Sequence, residues 1–277
     1  MKKALLILAL GYWLGLLAGA EELNVSLSPA RISQGSCFAV RVSAEGSAGL
    51  KVRWLGAEVK GFDGRAIVGV PITLKPGAYP LELTSLGPDG QTANKTLTVK
   101  VSRHKFPSVS FWLKPAKKKL LARDLINDEW ALIDRVLRVE GAEQCWTGRF
   151  SLPAKAPFSM LFGTIEKVNG RRRGDHKGLD IAVPAGTRIL APNNGTVVFA
   201  QKLKAFGGTI VIDHGQGIHT LYFHLSKFLA EVGQTIARGD PIALSGNSGI
   251  SSGPHLHWGM SVHNLRVDPL QWTKTAF

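Results

Sequence analysis

Four histidines and one aspartate lie in three short stretches of the C-terminal half, at spacings that can place them around one metal ion. His255 and His257 are two residues apart in a predicted strand, and because strand side chains alternate between faces, both point the same way. His176 and Asp180 lie upstream, and His224 lies between the two pairs. Such imidazole and carboxylate groups suffice for a catalytic zinc site with three protein ligands and one open position.

A structural role is the alternative for each of these residues. His176 and Asp180 have the spacing of a surface pair on a helix, but Gly178 and the following Ile181-Ala182-Val183-Pro184 disfavour a helix there. His224 stands in an aromatic, half-apolar strand, where a hydrogen-bonded core histidine is a common finding. Taken one at a time, these residues can be either metal ligands or structural residues, and only the motifs taken together can decide between the two.

The remaining histidines are weaker candidates. His214 follows a predicted strand at a turn, which favours a structural or supporting role over metal binding. His219 is a candidate for lining a substrate groove. His104 and His263 have no neighbouring group in the sequence that singles them out.

The candidate residues belong to a segment, residues 146–277, whose pattern is that of a β domain. Short β-type runs alternate with turn signals such as Pro184-Ala185-Gly186 and Gly246-Asn247-Ser248-Gly249. Consecutive strands joined by short turns predict a mainly antiparallel sheet. The predicted strands are Thr187–Leu190, Gly195–Ala200, Thr209–Asp213, Ile218–Phe223, Ile242–Ser245 and His255–Val262.

Three motifs in this segment resemble those of one family. The stretches concerned are His176-Lys177-Gly178-Leu179-Asp180 with Pro184-Ala185-Gly186-Thr187, Ile212-Asp213-His214-Gly215 through Thr220-Leu221-Tyr222-Phe223-His224, and Ser252-Gly253-Pro254-His255-Leu256-His257-Trp258. They are similar to the motifs of the lysostaphin-type (LytM-like) zinc metallopeptidases, which cut peptide bonds in peptidoglycan. The similarity runs from about Trp146 to Trp272, and three motifs in the same order are far more specific than a lone His-x-His.

The resemblance implies a role for each of the five candidate residues. His176, Asp180 and His257 would be the ligands of one zinc ion, and the metallopeptidase fold would follow for residues 146–277. His224 and His255 would be catalytic histidines that do not bind the metal. The complete set matters because members of the family that have lost ligands act only as activators of other hydrolases.

The chemistry of the residues agrees with this assignment. Zinc accepts imidazole and carboxylate ligands and lowers the pKa of a bound water to about 7. A neutral imidazole next to that water can take its proton. We assign His255 as the base, because one strand residue separates it from a ligand, and His224 as its partner.

Residues 21–103 have the pattern of a second, smaller β module. Several short strands at this spacing predict an immunoglobulin-like sandwich. We see no catalytic constellation in it, so a targeting, regulatory or purely structural role stays open. The predicted strands are Leu23–Leu27, Cys37–Ser43, Leu50–Trp54, Ala66–Ile72, Tyr79–Leu83 and Thr92–Val101.

Residues 104–145 are predicted to be a basic linker followed by an amphipathic helix. The charge run Lys114-Pro115-Ala116-Lys117-Lys118-Lys119 favours a solvated linker over a specific binding site. The helix is expected to pack one domain against the other. Its apolar stripe consists of Ala122, Ile126, Trp130, Ile133 and Leu137, which recur at helical spacing.

Residues 1–20 have the pattern of a secretory signal peptide. Lys2 and Lys3 precede the apolar run Ala4–Leu17, and Ala18-Gly19-Ala20 supplies a small-residue cleavage site. An uncleaved anchor is the alternative, but the run is shorter than the roughly 20 residues of a membrane span. Since the sequence has no second long apolar run, no membrane span is expected after cleavage.

Composition limits the class of protein and its partners. With 277 residues, 44% hydrophobic and 19% charged, the chain is globular rather than disordered. The formal charge of +14 falls to +12 without the two lysines of residues 1–20, which suits an anionic surface such as a cell-wall polymer. No nucleic-acid motif is present, so nucleic acid is not expected as a partner.

Cys37 and Cys145 could form a disulfide or remain separate small hydrophobic residues.

The sequence therefore predicts an exported zinc metalloendopeptidase that hydrolyses peptide cross-links of bacterial peptidoglycan in the periplasm or cell envelope. The alternative is a non-catalytic envelope-binding module or an activator of another cell-wall hydrolase. Which bond is cut, and the oligomeric state, stay open.

Overall fold

The computed structural model describes residues 23–43, 48–86 and 91–277. Strands contribute far more of this part of the chain than helices do, which confirms the predicted mainly β class. The predicted signal peptide at residues 1–20 lies outside the described residues. Within the three described ranges, no helix is long and apolar enough to cross a membrane.

The N-terminal part forms two sheets on one core. A three-stranded sheet has the order β1-β3-β6, and a five-stranded sheet has the order β2-β8-β7-β4-β5. Both contribute buried side chains to a common cluster, for example Phe38 and Val40 from one sheet and Val52 and Leu81 from the other. The module is thus a two-layer sandwich, and its immunoglobulin-like topology stays a prediction. The strands are β1 (Val25–Ser28), β2 (Ile32–Ser33), β3 (Cys37–Val42), β4 (Ala48–Trp54), β5 (Ala57–Lys60), β6 (Arg65–Gly69), β7 (Gly77–Leu86) and β8 (Thr92–Ser102).

The linker is folded onto the C-terminal part rather than free in solvent. It contains β9 (Ser108–Phe111), the short helix α1 (Pro115–Lys118), a 3-10 turn at Lys119–Leu121 and the helix α2 (Arg123–Leu137). Strand β9 pairs in parallel with a strand of the C-terminal part, at Ile165–Val168. In the basic run, Lys114, Lys118 and Lys119 are exposed, as a solvated linker predicts, whereas Lys117 is bound to the C-terminal part.

The C-terminal part is built on one antiparallel eight-stranded sheet. Its strand order is β10-β13-β21-β17-β16-β15-β19, with β22 paired to β21. All eight residues of the central strand β17 are buried, because both faces of the sheet are covered. The elements are β10 (Phe158–Met160), β11 (Ile165–Val168), β12 (Arg171–Asp175), β13 (Leu179–Ile181), β14 (Arg188–Leu190), β15 (Gly195–Lys202), β16 (Gly208–Asp213), β17 (Ile218–Leu225), β18 (Lys227–Phe228), β19 (Thr235–Ile236), β20 (Pro241–Leu244), β21 (Leu256–Val262), β22 (Leu265–Val267) and α3 (Pro269–Lys274).

Helix α2 covers one face of this sheet. Ile133 and Leu137 are fully buried against Leu221 and Phe223 of β17 and Val211 of β16. The sequence predicted the helix and its apolar stripe, but the helix packs on the C-terminal sheet rather than between the two domains. The surface that this amphipathic stripe covers belongs to a single domain.

The contact between the two domains is made by a separate apolar cluster. Cys37 and Ala39, on the outer face of β3, pack with Trp146, Met260 and Trp272 of the C-terminal part. This explains why β3 is buried on both faces although only one faces the sandwich core.

Polar contacts fix the same interface. The amide of Gln271 pairs with the Cys37 backbone, accepting from its N–H at 2.8 Å and donating to its carbonyl at 2.7 Å. Cys37 and Cys145 are both free thiols, so they do not form the disulfide left open above.

Candidate metal centre

Three side chains from two adjacent strands converge on one point. Asp180 of β13 lies directly opposite His257 of β21 in the antiparallel register, and His176 stands just before β13. One oxygen, Asp180 Oδ1, lies 3.0 Å from His176 Nε2 and 2.9 Å from His257 Nδ1. The nearest ligand atoms of the three residues all lie within 4.8 Å of one another.

The glycine between His176 and Asp180 makes this approach possible. A Cβ atom at Gly178 would lie 2.5 Å from His257 Nε2 and 2.7 Å from the carbonyl oxygen of Trp258. Both distances are far below van der Waals contact, so a larger residue would push β13 away from β21. The short His-x-Gly-x-Asp spacing therefore has a packing reason.

The electrostatics of the cluster favour a cation. Burial lowers the pKa of His176, but the Asp180 and Glu166 carboxylates outweigh burial and raise that pKa to about 9. Burial raises the pKa of Asp180, but His176 and His257 outweigh it and hold that pKa well below its usual value. The buried carboxylates thus stabilise a positive charge between the two rings, whether a proton or a metal ion carries it.

Glu166 is a site residue that the sequence reasoning missed. Its Oε1 atom lies 2.7 Å from His176 Nδ1, and its other oxygen lies 3.7 Å from the Arg173 guanidinium. Because a carboxylate only accepts, His176 donates through Nδ1 and directs Nε2 toward Asp180. The sequence did contain a signal that could have revealed Glu166: Asn169-Gly170 is a dipeptide typical of a two-residue hairpin turn. This turn pairs β11 with β12 and so brings Glu166 next to His176.

His255 and His224 lie beside the cluster with their tautomers fixed. Each Nδ1 faces a backbone carbonyl, at 2.8 Å, that of Gly253 for His255 and that of Ser248 for His224. Since a carbonyl only accepts, each Nδ1 carries a hydrogen, which leaves Nε2 as the nitrogen of each ring that can accept a proton. His255 Nε2 lies 3.6 Å from Asp180 Oδ2, and the two rings lie 4.8 Å apart.

An unusual backbone conformation brings His224 into the site. Phe223 stacks on His257 with ring centroids 5.1 Å apart, so regular alternation would turn His224 to the opposite face of β17. Instead His224 has φ 63°, in the left-handed region that residues other than glycine seldom adopt. Burial, followed by the nearby His255 and His257, lowers the pKa of His224 well below its usual value, so its ring is neutral.

A cavity of about 270 Å³ opens beside these groups, and the linker forms one of its walls. His176, His224 and His257 line it from the sheet, and Ile126 and Trp130 line it from α2. The Trp130 ring lies against Phe223 and Phe206, with centroids 5.8 and 4.6 Å away. The helix thus shapes the space that a substrate of the site would enter.

Two polar anchors hold the linker to the loops around this cavity. Lys117 Nζ donates to the carbonyls of Asn247 and Ser251, at 3.1 and 2.8 Å, in the loop that precedes His255. The buried carboxylate of Glu129 accepts from the backbone N–H groups of residues 204–206, at 2.6 to 3.1 Å. The loops on both sides of the cavity are therefore tied to the same segment.

The other histidines lie outside the cluster. His214 is fully buried, donates from Nδ1 to the Asn194 carbonyl and accepts from Thr220, the structural role predicted for it. His219 is fully buried 3.6 Å from Asp213, so the suggestion that it lines the groove was wrong. His263 contacts Glu140, and His104 is exposed against Phe106.

The donor set fits a zinc ion. Two imidazole nitrogens and one carboxylate oxygen converge, and His176 Nε2 is a buried atom that lacks a hydrogen-bond partner of proper geometry. Three candidate ligands beside a cavity that His224 lines, with the His255 ring 4.8 Å from that of His224, have the form of a catalytic site with an open position.

Comparison with known proteins finds a family model and a solved structure that are similar to this chain. The sequence model of Peptidase family M23 matches residues 174–269, which include all five predicted site residues. A crystal structure of a protein of Pseudomonas aeruginosa that carries the name peptidase M23 superposes with a TM-score of 0.65 at 28% identity, covering 88% of this chain and 95% of that one.

Two curated relatives differ in what their names say. The peptidoglycan DD-endopeptidase ShyA of Vibrio cholerae is 40% identical over 101 residues, which are 36% of this chain and 24% of that protein. The murein hydrolase activator EnvC of Escherichia coli is 32% identical over 125 residues, 45% of this chain and 29% of that protein. The matched region thus spans 24% and 29% of these two relatives' own lengths.

Proposed function

We propose that this chain, whose residues 174–269 match the sequence model of Peptidase family M23, is a zinc metalloendopeptidase that hydrolyses peptide cross-links of bacterial peptidoglycan. The observation that carries the proposal is the convergence of His176, Asp180 and His257 beside His224 and His255, each held by a backbone carbonyl at Nδ1. The peptidoglycan DD-endopeptidase among the relatives supports the substrate class.

His176, Asp180 and His257 would hold one zinc ion through Nε2, a carboxylate oxygen and Nδ1. Bound there, zinc would lower the pKa of a water to about 7 and polarise the scissile carbonyl. His255 Nε2, with its lone pair free, takes the proton of the attacking water and passes it to the amine that leaves. His224, whose ring lies 4.8 Å from that of His255, is its partner in the cavity.

We further propose that the protein works outside the cytoplasm, in the periplasm or cell envelope. The signal-peptide pattern of residues 1–20 supports export, and the proposed substrate is found only there. The catalytic unit is residues 146–277, with residues 21–103 as a sandwich module and residues 104–145 as the linker.

The test is cleavage of purified sacculi by the chain from Glu21, with and without a chelator, followed by mass spectrometry of the released fragments. We expect new peptide termini that disappear with chelator, return with zinc and identify the bond. His255→Ala should keep stoichiometric zinc and lose at least about 100-fold in rate. His104→Ala, an exposed histidine away from the site, is the matched control. Full activity of His255→Ala with zinc bound would refute the role of His255.

The second candidate is an activator of another cell-wall hydrolase, which the similarity to EnvC favours. The complete set of five side chains argues against it, since an activator needs neither ligands nor a base. Sacculi that stay intact with this chain alone, but are cut faster by a second hydrolase when the chain is added, would establish the activator.

A further inference from the structure

A second recess adjoins the cavity at the metal centre and is lined by cations from two segments. It measures about 620 Å³ and lies between the linker and the β11–β12 hairpin. Ile126 and Arg173 line both spaces, so the recess and the cavity are neighbours along one surface. The cations around it are Lys118 and Arg123 from the linker and Arg171, Arg172 and Arg173 from the hairpin.

The charge of this recess is not neutralised. Arg172 pairs with Asp175 at 2.9 Å, and Arg173 lies 3.7 Å from Glu166. In the described part of the chain, Lys118, Arg123 and Arg171 make no ion pair, which leaves three like charges facing one space. Because these three cations have no acidic partner, they are available to pair with the anionic groups of a ligand.

We propose that this recess binds the carboxylates of an acidic peptide and so guides that peptide into the metal centre. The inference rests on the proposed peptidase function and specifies the substrate: a cross-linked peptide with free carboxylates next to the bond that is cut. Arginine suits this task, because its planar guanidinium pairs with a carboxylate through two parallel hydrogen bonds. Leu121, Ile126 and Val168 give the recess an apolar floor for aliphatic parts of the peptide.

The lining favours a peptide over a nucleic acid. None of the described residues that line the recess is aromatic, so it lacks the stacking surfaces that single-stranded nucleic acids use. Its continuity with the cavity at His176 also gives an extended peptide a direct path to the proposed reaction site. A general site for polyanions remains as an outcome of the test.

The first measurement compares two peptides, one with free carboxylates and one with the same carboxylates amidated. In the chain from Glu21 with zinc, Arg123→Ala/Arg171→Ala should raise the KM of the acidic peptide about four- to twentyfold and leave its kcat unchanged. The KM of the amidated peptide should stay the same. Lys100→Ala, an exposed cation on β8 of the other domain, is the matched control and should change neither value.

The second measurement separates this inference from the proposed function. Binding of both peptides is followed by fluorescence anisotropy in the His255→Ala background, where cleavage does not interfere, at low and high salt. We expect tighter binding of the acidic peptide, lost in the double variant and weakened by salt. If this preference is seen but no variant or wild type cleaves either peptide, the recess stands and the peptidase proposal fails. Equal binding of both peptides, or equal binding of an oligonucleotide of matched charge, would overturn the recess as a peptide site.

Discussion

The hydrogen bond between Glu166 and His176 decides which nitrogen of that ring faces the metal centre. In metalloenzymes, a carboxylate that accepts from the outer nitrogen of a ligand histidine orients the ring and increases its basicity. Glu166 has the required contact at 2.7 Å and is largely buried, so water does not replace it easily. Its effect should therefore appear in metal affinity and not only in the rate.

We predict that Glu166→Ala weakens zinc binding about 10- to 100-fold. Glu166→Gln should cost less, because its amide oxygen can still accept from Nδ1. The measurement is competition with a chromophoric chelator, and Glu231→Ala, an exposed glutamate, is the control. Unchanged affinity in Glu166→Ala would show that the sheet alone positions His176.

At the residue scale, the sequence predicted which side chains meet but not how each of them gets there. The motifs that resemble those of the family predicted that Asp180 and His257 meet, and the structure shows that neighbouring strands place them opposite each other. Alternation predicts the wrong face for His224, because a positive φ at one residue leaves no mark on the hydrophobic pattern. Glu166 lies on a different strand from its partner, and only recognition of the hairpin would have brought the two together.

At the scale of elements, helix α2 supports the cavity through a charged group within its buried face. Glu129 accepts from the backbone N–H groups of residues 204–206, in the loop that also carries Phe206 against Trp130. The apolar stripe of α2 was predicted from its periodicity. A buried glutamate on that face was not, because its partners are backbone groups about 75 residues further along the chain.

We predict that Glu129→Ala lowers the free energy of unfolding by about 2–4 kcal/mol, because several buried N–H groups lose their acceptor. Hydrogen exchange at residues 204–206 should rise as well. Asp128→Ala removes the same charge from the exposed neighbour and serves as the control, with a change within about 0.5 kcal/mol. Equal effects of the two substitutions would mean that the Glu129 contacts contribute nothing to docking of the helix.

At the scale of the whole molecule, the two domains share an apolar interface that the sequence did not reveal. Alternation along β3 places Phe38 and Val40 on the face toward the sandwich core. It gave no sign that Cys37 and Ala39 are covered as well, since small residues are also common on exposed faces. Only the fold shows that Trp146 and Trp272 are their partners.

We predict that the two domains unfold in a single calorimetric transition, because separating them would expose this cluster to water. Leu81→Ala, in the core of the N-terminal sandwich, should lower the midpoint of the whole transition rather than of one part of it. Scanning calorimetry with the van't Hoff ratio is the measurement. Two resolved transitions, only one of which shifts in Leu81→Ala, would contradict the prediction.

The interface around Cys37 also bears on how the chain folds as it is synthesised. Gln271, which pairs with the Cys37 backbone, follows it by 234 positions, and Trp272 comes next. The residues that cover the outer face of β3 are therefore far away in the sequence, and contacts of such large sequence separation form slowly. We expect a folded N-terminal sandwich to expose this apolar face until Gln271 and Trp272 dock on it, which makes the face a natural binding site for a chaperone.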